Sequence, residues 1–83
     1  MQTICLFGSD YRSSRDLHHA LQLLLSLPSY YGMNADALND CLSELSACPA
    51  LWFRAEGAEP DVESALRLIA RVFADNGAQV KEC

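Results

Sequence analysis

The 83-residue sequence predicts an α/β fold, a small three-stranded parallel β-sheet packed against α-helices. Two short apolar runs, residues 4–7 and 51–53, have the length of strands. Three longer stretches repeat apolar residues three and four apart, the period of a helix. The segments follow the order β-α-α-β-α with a weak last β, and strands separated by helices pair in parallel through crossovers. No repeat, low-complexity run or linker interrupts them, so residues 1–83 are expected to form a single domain.

Ile4-Cys5-Leu6-Phe7 is a continuous apolar run stopped by Gly8, which predicts a strand buried on both faces. Ser13 with Asp16 three residues later is a helix-start pattern, a capping box with Asp in place of Glu. Leu17, Leu21, Leu24 and Leu25 then form the expected core stripe, and Pro28 is expected to end the helix. Asn34 is the expected cap of a second helix, with apolar positions Leu38, Cys41, Leu42 and Leu45 and an end at Pro49. Leu51-Trp52-Phe53 predicts a second buried strand. Pro60 suits the first turn of a third helix whose stripe runs Val62, Ala65, Leu66, Ile69, Val72 and Phe73. Asn76-Gly77 is a stop signal, and Val80 lies in a weakly apolar final strand.

Composition narrows the function classes. Apolar residues make up 51% and charged residues 20%, a balance unlike that of a disordered chain. The net charge of −5 argues against a nucleic-acid partner, because phosphate backbones select for Lys and Arg. The charge is also segregated. Residues 16–63 hold eight acids and a single base, Arg54, for a net −7, a field able to steer a cationic partner. Met1-Gln2-Thr3 has no charged leader, and the apolar run at 20–27 is too short to span a membrane. The spacing of Cys5, Cys41, Cys48 and Cys83 matches no metal or redox motif. A cytoplasmic protein with free thiols is expected, with Cys5 and Cys41 packed as small hydrophobes and Cys83 exposed.

On a helical wheel the second helix sets Asp36, Asn39, Asp40 and Ser43 opposite its apolar face. Asp36 and Asp40 are four apart, and like charges at that spacing destabilise a helix by about 0.2–0.5 kcal/mol. Tyr30, Tyr31 and Gly32 lie just upstream. Tyrosines, carboxylates and a glycine turn make an interface candidate, since aromatic anchors dominate many interfaces. The plainer alternative is one tyrosine packed on the core and a solvated acid pair. A metal-dependent enzyme using Asp36 and Asp40 is a further alternative, although two carboxylates on one exposed face lack the contrasting environments of an acid and a base. His18 and His19 diverge by about 100° on a helix, so one is expected to be partly packed and the other exposed. No nucleophile elbow, phosphate loop or dinucleotide fingerprint occurs. Neither an enzyme activity, a cofactor nor a metal is expected.

Asp16-Leu17-His18 and the run Leu27-Pro28-Ser29-Tyr30-Tyr31-Gly32-Met33-Asn34-Ala35-Asp36-Ala37-Leu38-Asn39-Asp40-Cys41-Leu42 closely resemble the barstar family, bacterial intracellular inhibitors of barnase-like ribonucleases. The resemblance extends upstream through Gly8 and Arg12-Ser13, and more loosely through the third helix to Gly77-Ala78. It implies a barstar-like fold and inhibition by substrate mimicry, with carboxylates standing where RNA phosphates would bind. Asp40 matches the family's dominant acid, Asp36 a second contact acid, and Tyr30 the aromatic that covers the nuclease active site. Gly32, Asn34 and Ser43 match surrounding contacts, with Tyr31 in the same loop. Ala35 and Asn39 depart from the family's bulky residue and tryptophan. Family acids on the last long helix fall at Val72 and Asn76, and the segment before that helix is shorter. The implied partner is a basic ribonuclease or ribonuclease toxin domain in a 1:1 complex, not necessarily barnase, with Asn39, Val72 and Asn76 bearing on its choice. A non-nuclease interaction module on the same fold is the remaining alternative.

Overall fold

The structure is a computed structural model that describes residues 3–83; the leader reading of Met1 and Gln2 lies outside the described residues. The elements are β1 (Thr3–Phe7), α1 (Ser14–Leu25), α2 (Ala35–Ser43), β2 (Ala50–Arg54), α3 (Pro60–Asp75) and β3 (Val80–Glu82), with a 3-10 turn at Gly8–Asp10. The strands form one parallel sheet in the order β1-β2-β3. This is the expected α/β architecture, including the weak third strand.

The strands are not buried on both faces. Ile4 and Leu6 point into the core while Cys5 and Phe7 alternate outward. In β2, Leu51 and Phe53 are buried and Trp52 is 43% exposed. The expectations of two-faced burial and of a packed Cys5 are therefore corrected. The cause is the layering: α3 packs on β2 and β3, and α1 and α2 pack on α3, which leaves the other face of the sheet open. An apolar run carries no sign of which side lacks a cover.

The helix starts follow their caps. The Ser13 hydroxyl accepts from the Asp16 N–H at 3.2 Å. The return arm of the capping box reaches one residue further back, where the Asp16 carboxylate accepts from Arg12 N–H at 3.4 Å. α1 ends three residues before Pro28. Ser26 takes a left-handed conformation (φ 53°), and the Leu27 N–H donates to the Gln22 carbonyl at 2.9 Å, a closure of the kind usually made by glycine. Pro28 bounds the helix without setting its end. α2 likewise stops at Ser43, well short of Pro49, and the Ser43 hydroxyl donates to the Asp40 carbonyl at 2.8 Å. Leu24 and Leu45, expected in the core, are exposed. α3 begins at Pro60 and ends at Asp75, with Asn76 as its cap and Gly77 at φ 85°.

The buried residues form one cluster that includes Leu6, Leu17, Leu38, Leu51, Ile69 and Phe73. Each such side chain contributes about 1.5–3 kcal/mol relative to leaving it in water. Gly8 is needed where β1 runs under the loop before α3, because a Cβ there would lie 2.5 Å from the Ala58 Cβ.

Candidate partner-binding surface

The loop between α1 and α2 is held from within. Tyr31 is 6% exposed, and its hydroxyl shares a 2.7 Å hydrogen bond with Nδ1 of the buried His18 on α1. The rings pack at 5.9 Å between centroids. Burial lowers the His18 pKa below its ordinary value. Burial and, secondarily, Cys41 raise that of Tyr31. The Tyr31 ring is thus an internal anchor, the packing on the core that the plainer reading gave to one of the two tyrosines. Tyr30, its neighbour, is 86% exposed and has no such tie.

Asn34 fixes where α2 begins. Its side-chain oxygen accepts from the Ala37 N–H at 2.8 Å, and its amide donates to the Gly32 carbonyl at 3.1 Å. A Cβ on Gly32 would approach both the Asn34 amide and the Ala37 Cβ to 3.3 Å. The glycine therefore lets the loop fold closely over the helix start. Met33 between them has φ 57°, an uncommon conformation for a residue with a side chain.

From that start, Asp36, Asp40 and Glu44 follow at successive four-residue steps, all exposed. Each step is about 6 Å along the axis and about 40° around it, so the row drifts across the helix surface. Its ends line different hollows. Asp40 and Glu44 share a groove of ≈ 290 Å³ with Tyr30 and Gly32, with Tyr31 and Cys41 also on its wall. Asp36 lines a second groove of ≈ 280 Å³ between α2 and α3, facing Arg71 and Asp75. The negative field registers on Cys41, whose pKa is raised first by burial and then by Glu44 and Asp40. Among the described residues no three His, Cys, Asp or Glu side chains converge as a metal site.

Asn39 and Asn76 meet across the α2–α3 seam. The Asn76 amide donates to the Asn39 side-chain oxygen at 2.9 Å and to the Val72 carbonyl at 2.8 Å. Val72 is buried beneath them. Ala35 is half-buried and packed on the core, while Asp36, Asn39, Asp40 and Ser43 are exposed. The fold thus brings the loop, α2 and the end of α3 onto one side of the molecule. Sequence reasoning left out Glu44, which continues the four-residue spacing and was legible from it. It also left out Asp75 and Arg71, which only the docking of α3 against α2 brings beside Asp36.

The chain matches the family described as Barstar (barnase inhibitor) over residues 1–82. It is also 44% identical over 43 residues to a Bacillus subtilis (strain 168) protein named "Putative ribonuclease inhibitor YrdF". That stretch covers 52% of this chain and 47% of the relative, about half of each.

Proposed function

The chain belongs to the barstar family, and from that premise we propose that it is a ribonuclease inhibitor of the immunity or antitoxin type rather than an enzyme. It binds a basic ribonuclease, or a ribonuclease toxin domain, 1:1 in the cytoplasm and covers the active site. The observation that carries this reading is the exposed acid row Asp36, Asp40 and Glu44 beside the exposed ring of Tyr30.

A ribonuclease active site holds cations to grip phosphates. Carboxylates accept the same charge-assisted hydrogen bonds from arginine, often two at once. Asp40 supplies the central acceptor, with Asp36 on one side and Glu44 on the other. Tyr30 lies over the mouth of the site, excluding water and strengthening each ion pair. Because α2 is capped by Asn34 and the loop is anchored by Tyr31 on His18, little order remains to be imposed on binding. Gly32, Ala35, Asn39, Ser43 and Asn76 form the surrounding contact. Asn39, Val72 and Asn76 replace charged or bulky side chains with small or uncharged ones, which shifts the preferred nuclease.

An RNA-cleavage assay tests this. Barnase, as a basic ribonuclease of the matching kind, is titrated with the protein, which is also assayed alone. The expected result is stoichiometric loss of cleavage with no turnover by the protein itself. Undiminished cleavage by barnase and by a panel of basic ribonuclease toxin domains would overturn the reading.

A further inference from the structure

The open face of the sheet lies opposite the helices and takes no part in the proposed inhibition. Two of its outward rows carry aromatic and basic side chains. Cys5, Trp52 and Lys81 are register partners across β1, β2 and β3. Phe7 and Arg54 are partners in the next row, extended by Cys83, whose N–H donates to the Phe53 carbonyl at 2.7 Å. Each row therefore holds one aromatic and one cation. Phe7 is 44% and Trp52 43% exposed, unusual for a parallel sheet, whose faces are ordinarily both covered.

No acid stands at these outward strand positions. Glu82 turns to the helix side, where its carboxylate accepts from Arg67 of α3 at 3.1 Å. Among the described residues the salt bridges are those of Arg67, so Arg54 and Lys81 have no carboxylate partner there. The Lys81 ammonium instead rests 5.1 Å from the centroid of the Trp52 ring. A chain with a net charge of −5 thus keeps one face whose outward strand positions bear aromatic and basic side chains and no acidic one. A second copy meeting it face to face would set Arg54 and Lys81 against their like charges.

We propose that this face binds single-stranded nucleic acid, one nucleotide per row, with bases on Trp52 and Phe7 and phosphates on Lys81 and Arg54. Aromatic rings stack on any base, and lysine or arginine beside them tracks the backbone. The rows are two residues apart, about 6.6 Å at strand rise. That is about twice the ~3.4 Å rise of a stacked strand, so the two bases are splayed, as in single-strand recognition on sheets. On binding, the Lys81 ammonium exchanges the Trp52 ring for a phosphate. The charge average that argued against a phosphate partner conceals this face.

Trp52 is the only tryptophan, so its fluorescence reports on the site directly. The full chain is titrated with a single-stranded octauridylate, with no nuclease present. Saturable quenching is expected with a Kd of order 10⁻⁴ M, the weak end of non-specific binding. Two phosphate contacts at about 0.7 counterions each give a log–log salt slope near −1.4. Phe7→Ala should weaken the quenching, and Arg54→Gln/Lys81→Gln should weaken it and flatten the salt slope. Asp40→Ala should leave it unchanged, which separates this site from the inhibitory one. Four outcomes would overturn the proposal: no saturation up to ~1 mM, full quenching retained by the double variant, equal quenching by a glutamate octapeptide, or a concentration-dependent signal from self-association without oligonucleotide.

Discussion

His18 is buried on α1 with its Nδ1 bonded to the Tyr31 hydroxyl, and burial holds its pKa below the ordinary value near 6.5. The unfolded chain therefore takes up a proton there before the folded one does. The stabilisation linked to this difference is fully present above about pH 6.5 and is lost as the pH falls through the lowered folded value. Replacing the imidazole removes the titration. Urea denaturation of the wild type and His18→Gln at pH 7 and pH 5 should show the gap between them narrowing at the lower pH. A constant gap would mean that the imidazole titrates alike in both states. The same contact explains what was legible at this scale. Tyr30 and Tyr31 are adjacent and chemically identical, and only the packing of α1 decides which one turns inward. The caps at Ser13 and Asn34 were legible because a cap is a local bond within three residues.

α2 is organised against its own stability. Asp36 and Asp40 repel, Asp40 and Glu44 repel, and Glu44 stands at the helix C-terminus, where no basic residue lies in the last turn. Each like-charge pair costs about 0.2–0.5 kcal/mol, and an acid at the negative end of the macrodipole costs about 0.3–1 kcal/mol. Glu44→Gln should therefore raise the stability by about 0.5–1.5 kcal/mol while weakening inhibition, read from thermal melts alongside the cleavage assay. Loss of stability in that variant would contradict the account. The register of α3 was legible from its long apolar period, and its expected stripe is buried or half-buried. The ends of α1 and α2 were not, because a proline fixes only the last residue a helix can reach. The burial of the strands was not legible either: an outward Trp52 and an inward Phe53 look the same in an apolar run.

At the scale of the whole molecule, the extents are 33 × 26 × 17 Å. The short dimension matches a sheet with one layer of helices, each about 10–12 Å across. The two broad sides differ in charge. The helix side carries the acid row, and the sheet side carries Arg54 and Lys81. An acidic side of this kind accelerates encounter with a basic nuclease, and the acceleration is screened by salt. Raising the ionic strength from about 0.01 M to 1 M shortens the screening length from ~30 Å to ~3 Å, so stopped-flow association should slow by at least about tenfold. A salt-independent rate would remove steering from the account.

Asp40 is proposed to stand in for an RNA phosphate, and the inhibition constant of a variant without its carboxylate reports on that role. Against the same ribonuclease, Asp40→Ala should inhibit at least about 30-fold more weakly than the wild type, the loss of a hot-spot carboxylate worth 2 kcal/mol or more. Because Asp40 is exposed, the variant should melt no lower than the wild type. An unchanged inhibition constant in a folded Asp40→Ala protein would contradict substrate mimicry by α2.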